Sequence, residues 1–274
     1  MNFSVVTSVY KNDVPQYVKL ALESITDSQT IKPDEVVLVV DGPVSADLER
    51  VIDEFEKNRP ELFKVIRLAK NGGLGNALRI GVSEATHPII ARMDSDDISL
   101  SDRFEKQLLF LKEHPDISIV GGQISEFIQT PDLSVGKRVV PCSNDEISTY
   151  IKSRCPFNHM AVMMRRADVL EVGNYIDWHY NEDYYLWIRM AEAKKRMANL
   201  EDILVNVRVG KEMYARRGGW KYFKSEWGLQ NYMLKGGLIS LPRYLANTIV
   251  RFGVQVCMPD SMRGFLFRKL FRKQ

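Results

Sequence analysis

Long apolar runs are absent from this chain of 274 residues. No window approaches the roughly 18 consecutive apolar residues that mark a membrane-spanning helix, so none is expected. Cysteine is scarce. Cys142, Cys155 and Cys257 are odd in number and follow no metal-ligand spacing, which argues against a disulfide framework and for a reducing compartment. The opening residues, Met1-Asn2-Phe3-Ser4-Val5-Val6, supply neither a basic segment nor an extended apolar one, so no signal peptide is expected. Internal repeats and low-complexity segments are missing as well. The expectation is a cytoplasmic protein with one sizeable α/β domain and an appendage, or two small domains.

Charge is plentiful but unevenly spread. The formal net charge is +3, yet residues 211–274 carry 13 Lys or Arg against 3 Asp or Glu, a balance of +10. Residues 1–210 are left at −7. An acidic body with a basic tail points to a polyanionic partner for the tail. The acidic body and the lack of any recognised module argue against nucleic acid.

Through the first half, short apolar runs at 3–9, 35–41, 63–68, 89–93 and 117–120 read as buried strands. Between them, Val18, Ala21, Leu22 and Ile25 recur at helical spacing, as do Leu48, Val51, Ile52 and Phe55 behind a Ser45 cap. Residues 74–85 and 102–114 read as two further helices. This alternation implies an α/β fold with a mostly parallel sheet flanked by helices. Such sheets bind ligands at the carboxyl ends of their strands, where Asp41 and Asp94 both stand. Further on, Ser143-Asn144-Asp145-Glu146 reads as a capping box, 160–165 and 204–209 as strands, and 183–193 as a helix. After Gly210 the chain turns basic, aromatic and helical.

Three polar constellations interrupt the pattern. Asp94-Ser95-Asp96-Asp97 follows the apolar run 88–93. Carboxylates this close repel one another, and a hard divalent ion is the obvious offset. The plain alternative is acidic residues at a helix N-terminus. Asn71-Gly72-Gly73-Leu74-Gly75-Asn76 can bring backbone N–H groups to an anion or can be a tight turn. It has neither the Lys-Ser/Thr of a P-loop nor the dinucleotide spacing. Glu182-Asp183 opens an amphipathic helix and reads either as helix-end charge or as a general base acting on a hydroxyl.

In order and spacing, residues 4–10, residues 35–42, the glycine turn, the acidic cluster, and Glu182-Asp183 with Leu186, Trp187 and Arg189 resemble a known family. The chain is similar to the family 2 nucleotide-sugar glycosyltransferases of GT-A fold, within them to bacterial enzymes of polysaccharide, O-antigen and amylovoran-type assembly. The resemblance covers residues 1–210. It implies a catalytic domain there, with 1–120 binding the nucleotide sugar and 121–210 the acceptor, ahead of a basic amphipathic helical tail over 211–274. It places Thr7, Val9 and Tyr10 beside the nucleotide, with Asn71 and Ser95 in the same set. Asp41 is matched to the aspartate that hydrogen-bonds the uracil ring, although Val40 stands where the family often has another aspartate. Asp94 would face the ribose and sugar, while Asp96, with Asp94, would hold a Mn²⁺ or Mg²⁺ bridging the diphosphate. Asp183 would be the general base, with Glu182 beside it.

His159, within Cys155-Pro156-Phe157-Asn158-His159, either lines the acceptor side or is a satisfied structural histidine. Arg189 joins the acceptor or diphosphate set, as do Arg216 and Arg217 unless they form a solvated basic turn. Many such enzymes add a late histidine as a metal ligand, and Val207-Arg208-Val209-Gly210 offers none. The implied activity is inverting transfer of a sugar from a nucleoside-diphosphate sugar, UDP favoured, to a hydroxyl of a glycan or a polyprenyl-diphosphate-linked saccharide. In the tail, Leu241, Tyr244, Leu245, Thr248, Ile249, Phe252 and Val256 recur at helical spacing, and Met262, Phe265, Leu266 and Phe271 lie among basic residues. Such helices lie on an anionic membrane surface or pack on the domain; the first makes the protein peripheral at the inner face of the cell membrane. A nucleotidyltransferase of related fold, or a catalytically idle sugar-binding or membrane-scaffold protein, are the competing readings. The nucleotidyltransferase needs a basic phosphate loop, and residues 7–13 supply only Lys11.

Overall fold

The computed structural model describes residues 1–210 and 218–259. Nine strands form one sheet. The strands β1 (Phe3–Val9), β2 (Glu35–Val40), β3 (Phe63–Arg67) and β4 (Ile89–Arg92) run parallel in the order β3-β2-β1-β4. Their crossovers are the helices α1 (Pro15–Ile25), α2 (Ala46–Asn58) and α3 (Leu74–Glu84). Pro15 opens α1, where its missing N–H costs nothing, and the Ser45 hydroxyl accepts the Leu48 N–H to start α2. Every residue of β2 is buried, because helices cover both faces. The run Val36–Val40 is therefore continuously apolar rather than alternating.

Past β4 the sheet becomes mixed. In chain order come β5 (Ile98–Ser99), α4 (Arg103–Glu113), β6 (Ile117–Phe127), β7 (Ser134–Arg138), α5 (Asn144–Tyr150), a 3-10 turn (His159–Ala161), β8 (Met163–Arg165), α6 (Arg166–Glu171), α7 (Glu182–Glu192) and β9 (Arg196–Arg208). β8 lies antiparallel between β4 and β6, β9 runs parallel to β6, and β5 and β7 pair antiparallel with β9 and β6. The strand expected at 117–120 continues to Phe127, and the one expected at 204–209 begins at Arg196. Polar residues hid both extensions, and the buried ones have partners. Gln123, for instance, accepts the Val140 N–H at 2.7 Å and donates to the Leu200 carbonyl at 2.8 Å.

Two apolar layers sandwich the sheet. One joins Val5, Val9, Leu38 and Ala91 to α1, α2 and α4; the other joins Val6, Val39 and Ile90 to α3 and to Leu186, Trp187 and Ile188 of α7. The helix α8 (Gly219–Lys235) adds Leu229 and Met233 to the second layer. The helix α9 (Leu241–Phe252) packs the other way round. Asn247 donates to the Lys152 carbonyl (2.9 Å) and to Gln230 (2.8 Å), and Arg251 pairs with Glu226, all facing inward. Leu241, Leu245, Ile249 and Val250 are exposed. No helix among the described residues is long and apolar enough to cross a membrane.

Candidate active site

Parallel register brings the ends of β1, β2 and β4 out at one edge: Val9 stands opposite Val40, and Val6 opposite Arg92. Tyr10, Asp41 and Asp94 follow just beyond. Asp41 is buried, and its two carboxylate oxygens accept the Asn71 amide (2.8 Å), the Gly72 N–H (2.7 Å) and the Gly73 N–H (2.9 Å). Gly42 and Gly73 take φ of +85° and +87°, and a Cβ on Gly42 would lie 2.5 Å from the Asn71 nitrogen. The glycine turn is thus folded around Asp41. The N–H groups of Gly72 and Gly73 are engaged inside the turn, which favours the tight-turn reading of this segment, and the Asp41 carboxylate is what they hold. The Thr7 and Val9 side chains are buried, Tyr10 is half-buried and Asn71 is exposed.

In the acidic cluster each residue has a different partner. Asp94 forms an ion pair with Arg92, the last residue of β4. The Ser95 hydroxyl donates to Asp13 (2.9 Å), which also accepts the Tyr10 N–H (3.0 Å). Asp97 is buried and accepts the Arg208 N–H at 2.8 Å. The Arg208 guanidinium donates to the Asp96 carbonyl at 3.3 Å and lies 3.7 Å from the Tyr17 ring centre. Asp96 is exposed, and among the described residues its carboxylate has no side-chain partner. Dense protein around it and the charges of Asp94 and Asp13 hold it up at about 6, although it still reaches solvent. Burial also raises Asp13 to about 6, and burial with Asp94 and Asp96 lifts Asp97 well above the carboxylate range. The helix-end alternative does not hold, because α4 starts only at Arg103, beyond β5.

Among the described residues no group of three or more His, Cys, Asp or Glu could hold a metal ion. A closed cage is therefore not the fit to test. A single open carboxylate would suit only a hard cation that keeps most of its water, and Asp96 is the group that would hold it. Asp94 is already committed to Arg92.

Glu182 and Asp183 form the first turn of α7; Glu182 is buried and Asp183 half-buried. The Cys155 thiol donates to Asp183 over 3.6 Å, while burial pushes the thiol itself far up. Burial raises Asp183, whereas Arg138 and Arg92 favour its ionised form. Burial and the Asp183 charge raise Glu182 to about 7. The glycine turn reaches this pair, since a Cβ on Gly75 would stand 3.2 Å from the Glu182 Cβ. The charge of Arg92 acts on Asp96 and Asp97 as well as on Glu182 and Asp183.

One expectation is corrected and one open choice is narrowed. Arg189 does not face an acceptor: it is buried, donating to the Val172 carbonyl and to the Asn174 carbonyl (2.7 Å) and lying over Tyr185. His159 is a packed structural histidine, with Nε2 2.8 Å from the Tyr175 hydroxyl and its ring edge-on to Trp187. Burial holds it well below the usual histidine range, hence neutral. Arg216 and Arg217 lie outside the described residues, as do Met262, Phe265, Leu266 and Phe271. The sequence reading missed Asp13, Arg92, Cys155 and Arg208 as neighbours of the acidic groups. The carboxylates themselves were the available signal, since an acidic cluster requires compensating groups nearby.

The model of the family described as Glycosyl transferase family 2 matches residues 4–172. The amylovoran biosynthesis glycosyltransferase AmsE of Erwinia amylovora is 38% identical over 273 residues, covering 97% of this chain and 98% of its own. The UDP-Gal:alpha-D-GlcNAc-diphosphoundecaprenol beta-1,3-galactosyltransferase of Escherichia coli is 36% identical over 272 residues, covering 99% and 97%. Among solved structures, S. aureus TarS 1-349 in complex with UDP-GlcNAc aligns with a TM-score of 0.68 over 93% of this chain and 74% of that chain. At 19% identity this is a likeness of fold, the GT-A arrangement of a curled, mostly parallel sheet between helices. A family model spanning more than half the chain and near-full-length relatives together show that it belongs to glycosyltransferase family 2, the family its ordered motifs resemble.

Proposed function

We propose that this chain transfers a sugar from a UDP-sugar, with inversion, to a hydroxyl of a lipid-linked saccharide. One observation carries the reading: one acidic group keeps an unengaged, exposed carboxylate at Asp96, and the other holds proton-accepting carboxylates at Glu182 and Asp183. The acceptor oxygen forms a bond to the anomeric carbon as the bond to the diphosphate oxygen breaks and its electron pair leaves with UDP. Asp183 takes the acceptor proton; its half-buried setting lets a hydroxyl approach while limiting water. Asp96 would hold Mn²⁺ or Mg²⁺, which supplies positive charge to the departing diphosphate. Arg92 orients Asp94 toward the ribose and sugar. The UDP and lipid-diphosphate choices are supported by the relative whose name carries both.

The test is metal-dependent release of UDP from UDP-galactose in the presence of a GlcNAc-diphosphate-lipid. Acceptor-stimulated release supports the reading. Binding of nucleotide sugars with no UDP release from any of them contradicts it and favours the idle sugar-binding alternative.

The outward apolar row of α9, beside the +10 balance of residues 211–274, supports contact with an anionic membrane surface, where such an acceptor would sit. Liposome co-sedimentation checks this. Wild type should pellet with anionic vesicles at low salt, and L245E/I249E should remain in solution.

A further inference from the structure

Arg92 is 2% exposed, and its backbone is fixed from two sides. Its N–H donates to the Val162 carbonyl (3.0 Å), and its own carbonyl accepts from the buried Arg103 guanidinium (2.7 Å). Strand alternation puts its side chain on the face of Ile90, which α3 and α7 cover. The first turn of α7 carries Glu182 and Asp183. On this face the guanidinium forms one ion pair, through Nη2 to Asp94, while Nε and Nη1 are buried without partners. A buried guanidinium normally fills its donors, and unfilled ones cost stability. What the position retains is charge.

We infer that Arg92 is a positioning residue for both acidic groups at once: its single ion pair aims Asp94, and its remaining charge, buried on the sheet face that α7 covers, stabilises the carboxylate that takes the acceptor proton. This rests on the glycosyltransferase reading of Asp183. The direction of its effect on Asp183 and Glu182, toward the ionised form in both, agrees. The other groups acting on that turn are Arg138 from β7, the Cys155 thiol, the Tyr175 hydroxyl and Asp177, with Glu182 and Asp183 acting on each other. The test variants change none of these.

Carboxyl ¹³C titration of Glu182 and Asp183 in the full chain tests this, alongside turnover of the best donor from a panel containing UDP-galactose and UDP-GlcNAc. In R92M both midpoints should rise by about one pH unit, from loss of one neighbouring charge. Its kcat at pH 7 should fall at least about tenfold, beyond any loss of UDP affinity from the freed Asp94. R92K, which keeps the charge, should restore the midpoints. Unmoved midpoints in a folded R92M would overturn the inference, and normal turnover beside them would leave the transferase reading standing. Should R92M fail to fold, D94N replaces it: with Asp94 neutral, the Arg92 charge on α7 is unmasked and both midpoints should fall. Unmoved midpoints in D94N would overturn the inference equally. Shifted midpoints in a protein that consumes no nucleotide sugar would overturn the transferase reading and the catalytic half of the inference with it.

Discussion

Residues 94–97 and the pair Glu182-Asp183 are both acidic, yet their surroundings differ in kind. Around the first, Arg92 pairs with Asp94, Asp13 takes the Ser95 hydroxyl and Arg208 holds the Asp97 carboxylate, so three of the four side chains are braced and Asp96 alone stands open. Around the second, one long thiol contact is the side-chain bond reaching Asp183, beside the Tyr184 backbone N–H, and the pair is held by burial at the start of a helix. A braced cluster keeps its geometry when a cation and a diphosphate arrive. A sparsely bonded, desolvated pair is suited to exchanging a proton near neutral pH. The difference is what the proposed division of work rests on, anion and metal at one group and proton transfer at the other.

The largest expected effect comes from breaking the proton-transfer side. Asp183→Asn should lower kcat by ~10²–10⁴-fold with UDP affinity retained, read by steady-state kinetics and calorimetry. A variant turning over near the wild-type rate would erase the distinction between the two groups. On the other side, Asp96→Ala should weaken Mn²⁺-dependent UDP binding by about tenfold or more and leave metal-free binding almost unchanged. Calorimetry with and without Mn²⁺ reads this directly, and equal losses in both conditions would count against Asp96 as the metal anchor.

Glu182→Gln sharpens the comparison through pH. A base must be ionised, so wild-type kcat/KM should fall as pH drops through the region set by this pair, with Glu182 titrating at about 7. Removing Glu182 should move that acid limb to lower pH and leave the titration of Asp183. Stability carries the matching sign. Because the folded protein holds Glu182 above its ordinary value, ionising it costs the folded state above about pH 7, and the cost vanishes once pH falls below the unfolded value. Glu182→Gln should therefore be more stable than wild type at pH 8, by at most about 3 kcal/mol, and no more stable at pH 4. Equal melting temperatures at pH 8 would contradict the buried-carboxylate account. The smallest effect belongs to Cys155→Ala, which removes one long S–H···O contact; kcat should stay within about threefold. A larger loss would mean the proton-transfer pair is braced after all.

The parallel half of the sheet was legible because β1, β2 and β4 are buried on both faces and read as apolar runs between helical repeats. β6 and β9 were read short because Gly121, Gly122, Gln123 and Glu126 interrupt one, and Asn199, Glu201 and Asp202 the other. The acidic groups were also legible, since carboxylates at the ends of apolar runs demand explanation. Their partners were not. Arg92 sat inside a run read only as strand, Arg208 drew notice only for the histidine missing beside it, and Asp13 was an ordinary loop residue. The contacts that give them meaning close loops of 82 residues from Ser95 to Asp13 and 111 from Arg208 to Asp97, which spacing alone does not reveal. Arg189 failed in the opposite sense: it holds a motif position, but its side chain serves the fold.

A crystal structure of the Asp183→Asn variant with Mn²⁺ and its nucleotide sugar tests the central claim most directly. The account predicts the diphosphate and metal at Asp96, the sugar beside Asp94, and residue 183 on the opposite side of the anomeric carbon, within about 3 Å of an incoming hydroxyl. A nucleotide bound away from Asp96, or a sugar whose open face is turned from residue 183, would contradict it.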